Sequence, residues 1–271
     1  MTAETTGRRA FRVAYDGGAY HGFQRQPDVP TVSNAILDGL RALGVVEDVP
    51  PRYAAAGRTD AGVSASAQTV ALDAPDWLDP AALNAELPAD VRAWAHADVP
   101  PDFHATHDAI GREYTYYLHA PAVDDARARR ALTAVAGRHD FHNLTPDDDG
   151  TVRELSAALT RDGDFLVFEL RADGFPRQLV RRLVRAVELV ARGEADFAWV
   201  DRLLGETAVD GPDGVGPAPA EPLVLTAVDY PGVQFQVAES AAASARAVFA
   251  ERRATFAARA SVSERLVSDL K

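Results

Sequence analysis

The segment Ala56-Gly57-Arg58-Thr59-Asp60-Ala61-Gly62-Val63-Ser64-Ala65 sets an arginine and a carboxylate between two glycines. Glycine adopts backbone angles that other residues avoid, so such a loop can approach a ligand closely. A carboxylate there can attack carbon and leave again, or stabilise positive charge at a sugar. The same residues also describe an ordinary surface turn, with Thr59 or Asp60 bonding its own backbone. A second set of candidates is the row Arg177, Arg181 and Arg185, spaced i, i+4, i+8 along the flank of an apolar stripe. One of them could turn toward a cleft; a solvated basic face explains the row equally well. A third is Tyr114, an aromatic within the Tyr- and Thr-rich run Arg112–His119. The seven histidines show no metal-ligand spacing, and there is no cysteine, which excludes disulfides, thiolate metal sites and a cysteine nucleophile.

The elements that must carry these residues alternate between strands and helices. Phe11–Tyr15 reads as a strand entering the Gly-rich, aromatic loop Asp16–Gln26. Thr31–Leu43 has a capping Thr31 or Ser33 and apolar residues at helical spacing. Ala54–Ala56 leads into the Gly57 loop, Gln68–Asp73 alternates like a strand, Pro80–Leu87 is a short helix and Val91–Val99 a strand. Pro100 and Pro101 interrupt the pattern, which suggests an N-terminal domain over 1–105 and a C-terminal one over 106–271. In the second part, Arg112–His119 reads as a strand and Asp125–Val135 as a helix, and Asp147–Gly150 is a polar turn. Leu155–Thr160 and Phe165–Leu170 flank the hairpin signal Arg161-Asp162-Gly163-Asp164. Arg177–Ala191 is a helix with the stripe Leu179, Val180, Leu183, Val184, Val187 and Val190; Gly205–Pro219 is a loop. Pro222–Tyr230 and Val233–Val237 read as a final pair of strands, and Glu239–Ala260 as a terminal helix. The expected class is α+β or mixed α/β with antiparallel sheets.

Apolar content of 47% and charged content of 25% in 271 residues are ordinary for a globular chain. The net charge of −12 is less so, and Lys271 is the only lysine. An acidic chain is a poor general polyanion binder, but a cleft can carry the opposite sign locally. Two origins fit the balance: work at high salt, where long-range repulsion is screened, or a GC-rich genome that writes Arg for Lys. The polar start, Met1 to Arg9, lacks an apolar signal region, and no run is long and apolar enough to span a bilayer, so a cytoplasmic address without membrane attachment is expected.

The Gly57–Val63 loop is similar to the signature of the TruA family of tRNA pseudouridine synthases, G-R-T-D-A-G-V-H-A, with Ser64 in place of His. Tyr15-Asp16-Gly17-Gly18-Ala19-Tyr20-His21-Gly22-Phe23-Gln24-Arg25-Gln26 resembles the family's opening Y-D-G-T-x-Y-x-G-W-Q-x-Q; Gly18 and Phe23 depart from it. In family order there follow Asn84-Ala85-Glu86-Leu87-Pro88, Phe103-His104-Ala105 (with Thr106 for Arg), Arg112-Glu113-Tyr114-Thr115-Tyr116 and Gly137-Arg138-His139-Asp140-Phe141. Gly174-Phe175, Leu179-Val180-Arg181 and Pro217-Ala218-Pro219 complete the set, with Pro222 replacing a glycine.

The resemblance implies a pseudouridine synthase fold: two domains, each with a largely antiparallel sheet flanked by helices, and the catalytic cleft between them. It implies a homodimer acting on uridines 38, 39 and/or 40 of the tRNA anticodon stem-loop, read by shape and backbone. Isomerisation breaks the glycosidic bond, turns the base and rejoins it through C5. It involves no net redox change or hydrolysis, so neither cofactor nor metal is required in principle. Asp60 is implied as the catalytic carboxylate, by attack on base, attack on sugar or removal of a sugar proton. Arg181 is implied as the cation that keeps Asp60 ionised in a desolvated cleft. Tyr114 would stack on the target base or take part in proton transfer, and Tyr116 and Tyr117 would pack on either face of the sheet. Arg58 would fill the space left by an extruded base or hold the backbone phosphate; a loop salt bridge is its bland alternative. Asp16, Tyr20 and Gln24 would meet RNA or fix a turn. The competing readings are another enzyme acting on a flipped base, an RNA-binding module without catalysis, and a small-molecule enzyme with a carboxylate loop.

Overall fold

The computed structural model describes residues 6–209 and 211–270. The first residues of the polar start, Asp210 in the long loop and Lys271 lie outside the described residues. The described chain folds as β1 (Thr6–Tyr15), α1 (Val32–Ala42), β2 (Ala54–Ala55), β3 (Ser64–Pro75), α2 (Pro80–Glu86), β4 (Val91–Asp98), β5 (Gly111–His119) and α3 (Asp125–Val135). It continues through β6 (Gly137–Asp140), β7 (Val152–Asp162), β8 (Phe165–Ala172), α4 (Leu179–Arg192), α5 (Phe197–Leu203), β9 (Leu223–Asp229), β10 (Gln236–Val237) and α6 (Glu239–Asp269). The class is mixed α/β, as the alternating pattern and the resemblance imply, but the mostly antiparallel sheet is one continuous sheet with helices packed on it, not a separate sheet for each domain.

The strands form one sheet in the order β10-β4-β1-β3-β9-β5-β8-β7-β6, with β2 paired to β3. Every pairing is antiparallel but one: β3 and β9 run parallel, Ser64 opposite Val224 and Ala65 opposite Leu225. That junction joins the early strands to the late ones. Two hydrophobic clusters flank it. One packs Ile36, Leu37 and Leu40 of α1 with Phe11, Val13, Val70 and Leu72. The other packs the α4 stripe with α3 and with Tyr116, Phe168 and Leu170. The clusters interlock at the seam: Val63 of the Asp60 loop is buried in the second, while Leu225 and Val228 of β9 are buried in the first.

Local chemistry explains most element ends. The Thr31 side chain accepts from Asn34 N at the start of α1, and those of Asp79, Asp124 and Asp196 cap α2, α3 and α5 likewise. Gly193 closes α4 in the left-handed region at φ 77°. The hairpin turns on Gly163, at φ 54°, with Asp162 paired to Phe165.

Several elements differ from the sequence reading. β1 begins before Phe11 and takes in Arg8 and Arg9, both buried. Their guanidiniums are satisfied by the carbonyls of Phe103 and Leu78 and by Asp98, so polarity did not mark them as strand. β6 and α5 are too short for a periodicity to stand out. β9 and β10 are not partners: β9 lies between β3 and β5, and β10 crosses to the far edge to pair with β4. α6 runs on to Asp269 because nothing in its Ala-rich tail breaks it. Tyr117 is 45% exposed while Tyr116 is buried, so β5 is covered on one face only at this point.

Candidate active site

The Asp60 loop joins β2 to β3 and sits at the seam of the sheet. Tyr114 of β5 lies opposite Leu225 of β9, the residue that also faces Ala65 of β3. The strand that follows the Asp60 loop and the strand of Tyr114 are therefore separated by one strand only, β9.

The loop's shape is fixed mostly from below. Thr59 is buried, and its Oγ1 lies 2.8 Å from the Tyr15 hydroxyl. Fully buried Gln68 donates to Gly57 O at 3.0 Å. Arg112 donates to Ala56 O from Nη2 at 2.9 Å, and Val63 N donates to Asp60 O at 3.2 Å. The aromatic opening loop packs directly against it: Phe23 N donates to Thr59 O at 3.1 Å and Gly62 N to Tyr20 O at 3.2 Å. Gly17 N donates to Ser64 Oγ at 3.0 Å. Contact is so close at Gly17 that a Cβ would stand 2.1 Å from Val63 O. Two segments singled out as separate sequence blocks thus form one structural unit.

Arg181, in the first turn of α4, reaches across the seam. Its Nη1 donates to Asp60 Oδ2 at 3.0 Å and its Nε to Ala218 O at 2.7 Å. Ala218 N in turn donates to Arg181 O at 3.1 Å. The Pro217-Ala218-Pro219 block therefore aims the guanidinium. The pair is largely shielded, with side-chain exposures of 15% for Arg181 and 29% for Asp60. It is less screened than a surface ion pair, and burial makes the loss of either partner costly. Nothing else in the arginine row does this. Arg177 lies ahead of the helix, because Gln178 is left-handed at φ 61°, and it pairs with Asp147 at 3.2 Å. Arg185 pairs with Glu188 at 2.8 Å. The i, i+4, i+8 face thus begins at Arg181 and does not include Arg177.

Tyr114 meets the Phe175 ring edge-on, with centroids 5.2 Å apart. Burial pushes its hydroxyl pKa up, and Tyr15 and Asp60 add to that while Arg112 opposes it. The hydroxyl stays protonated across the neutral range. Arg58 is exposed, borders the same cleft and makes no ion pair among the described residues.

The cleft measures about 1280 Å³ and is bordered by Asp60, Arg58, Tyr114 and Arg181. Four arginines (Arg25, Arg58, Arg177 and Arg181) face it against two carboxylates, Asp60 and Asp147. A locally cationic cleft therefore exists in a chain of net charge −12, the arrangement that field focusing in a cleft allows. Gln24 also borders it. Asp16 and Tyr20 serve the loop's own structure: Asp16 accepts from Gly18 N at 2.9 Å, and the Tyr20 hydroxyl donates to Asp90 at 2.8 Å. His104 Nδ1 accepts from Thr106 N at 3.2 Å and shapes its loop.

Sequence reasoning passed over Tyr15, Gln68, Arg112, Phe175 and the Ala218 carbonyl as parts of the site. Four of the five lie inside blocks already quoted, so their presence there was the available signal. Gln68 is a polar residue in an alternating strand and carried none. Among the described residues, no three His, Cys, Asp or Glu side chains are grouped so as to hold a metal ion, and no helix is long and apolar enough to cross a membrane.

Residues 131–231 match the family model described as tRNA pseudouridine synthase. The match contains Arg181 and excludes Asp60 and Tyr114. The tRNA pseudouridine synthase A of Haloarcula marismortui is 60% identical over 97% of this chain and 100% of that protein. The protein of the same name from Natronomonas pharaonis is 59% identical over 90% of this chain and 93% of its own. That of Archaeoglobus fulgidus is 38% identical over 84% and 85%. Among solved structures, a chain of an archaeal box H/ACA ribonucleoprotein complex aligns with a TM-score of 0.38 at 15% identity, over 68% of this chain and 43% of that one. The identities along nearly the whole of both chains are decisive: this chain belongs to the tRNA pseudouridine synthase A family, isomerases that convert uridine to pseudouridine.

Proposed function

We propose that the seam cleft isomerises uridine to pseudouridine in the anticodon stem-loop of tRNA, at positions 38, 39 and/or 40, with Asp60 as the catalytic carboxylate. The observation that carries this is the Asp60–Arg181 pair, 3.0 Å across the seam and opening into a cationic cleft. The carboxylate is held in place by the fixed guanidinium beside it. It is then available for covalent work on carbon or for stabilising charge at the sugar. Arg181 balances the charge of Asp60 and fixes its direction. Tyr114, backed by Phe175, offers a ring to the target base and a protonated hydroxyl. A paired uridine must first leave its stack, at a cost of a few kcal/mol. Arg58, which pairs with no carboxylate among the described residues, is suited to the vacated space or to the flanking phosphate.

The domain reading, 1–105 and 106–271, is proposed on the same footing. The two hydrophobic clusters fall largely on either side of that division, and β9, β10 and α6 return to the first. A homodimer sharing one tRNA, and a cytoplasmic address, complete the proposal. The test is primer extension on an unmodified tRNA transcript after incubation with the protein and carbodiimide labelling. Stops at 38–40 are expected. Stops confined to other uridines would overturn the target, and their absence with folded protein would overturn the activity.

A further inference from the structure

The opening loop is clamped on its far side by the C-terminal helix. Arg252 of α6 places Nη2 2.7 Å from Asp16 Oδ2 and Nη1 3.8 Å from Asp90 Oδ2. Both carboxylates are largely buried, with side-chain exposures of 22% and 16%. Each has a second duty. Asp16 accepts from Gly18 N and so caps the short helical turn Gly17–Ala19. Asp90 accepts from the Tyr20 hydroxyl at 2.8 Å, and Asp16 N donates to Asp90 O at 3.0 Å. That turn is what touches the Asp60 loop, through Gly17 N to Ser64 Oγ and Tyr20 O to Gly62 N. A continuous path of contacts therefore runs from α6 to the Gly62–Ser64 side of the Asp60 loop.

We propose that Arg252 is a positioning residue for the reaction: by standing between Asp16 and Asp90 and offsetting their repulsion, it holds the Gly17–Tyr20 turn against the Asp60 loop and so fixes the direction of the carboxylate. Without the guanidinium, two shielded like charges face each other and repel, since the effective dielectric there is lower than in water. The turn is then free to retreat, and Gly62 and Val63 lose their backing. The proposal rests on Asp60 being the catalytic carboxylate. Arg252 touches neither the cleft nor the reacting atoms, so its loss alters the rate and leaves tRNA affinity in place.

The test compares wild type with Arg252→Ala, Arg252→Lys and, as a control on the exposed tail, Arg265→Ala. Steady-state pseudouridine formation on the tRNA transcript should show kcat down about tenfold to a hundredfold for Arg252→Ala, as expected for a carboxylate misplaced by about 1 Å. KM should stay within about twofold, because uniform binding is untouched. Arg252→Lys, which reaches one carboxylate but not both, should fall between, and Arg265→Ala should match wild type. Hydrogen exchange supplies a readout independent of activity: amides of residues 57–64 should exchange at least about tenfold faster in Arg252→Ala, while those of α4 are unchanged. Wild-type kcat, or unchanged exchange at 57–64, would overturn the proposal. A loss of kcat matched by global exchange and early melting would also overturn it, as a merely structural role. An Asp60→Ala arm separates the two claims: if it remains active, the reading of the site fails, and the exchange result alone decides whether the brace exists.

Discussion

At the scale of single residues, Arg181 shows how one side chain can complete a site built from distant segments. Its planar fork meets a carboxylate and a carbonyl from separate nitrogens in a fixed geometry, which the compact ammonium of a lysine does not reproduce. Arg181→Ala is expected to lower the single-turnover rate on a tRNA transcript by about 10²–10³-fold, the usual cost of removing one fixed electrostatic donor. Arg181→Lys should recover part of the loss. Equal rates for lysine and arginine would show that charge alone matters and that the Ala218 contact is incidental. The types of Asp60, Arg58 and Tyr114 announced possible chemistry, but which arginine of the row faces Asp60 did not follow from spacing. Gln178 takes a left-handed backbone and removes Arg177 from the helix, and no sequence pattern predicts that. Gln68 was equally silent, because a buried amide in a strand is recognisable only once its acceptors are in place.

At the scale of elements, the site depends on loops that sit backbone to backbone. Gly17 is the clearest case, since a Cβ there would meet Val63 O at 2.1 Å. Gly17→Ala must therefore displace the Asp60 loop or the opening turn. A loss of about 2 kcal/mol or more in unfolding free energy is expected in urea melts, at the upper end of ordinary single substitutions, together with a drop in kcat. A variant with wild-type melting and activity would refute the contact. Long, periodic or β-branched elements were legible: α1, α3, β5 and the β7–β8 hairpin fall where spacing and turn chemistry put them. What escaped were elements decided by tertiary partners. Arg8 and Arg9 look like a polar terminus but are strand residues with buried guanidiniums. β10 reads as the partner of β9 but belongs to the opposite edge of the sheet, because Ala238 N and the strand before it find their acceptors on β4.

At the scale of the molecule, an acidic chain carries a cationic cleft. The buried tyrosines supply a prediction about the whole fold. Burial pushes Tyr15, Tyr53, Tyr116 and Tyr230 up to about 12, against about 10 for an unfolded tyrosine. The native state thus holds these protons more tightly than the unfolded state. Their contribution to stability is complete below about pH 10 and is lost as pH rises toward 12. Melting temperature should fall steeply above about pH 10, and tyrosinate absorbance should appear together with loss of near-ultraviolet circular dichroism. Titration of these tyrosines near pH 10 in an intact fold would contradict the burial described.

The most direct test of the account is pseudouridine formation at the anticodon stem-loop by wild type and Asp60→Ala, with tRNA binding measured on the same samples. Wild type is expected to produce the modification, Asp60→Ala to produce none, and both to bind tRNA comparably. Modification that survives Asp60→Ala would contradict the central claim.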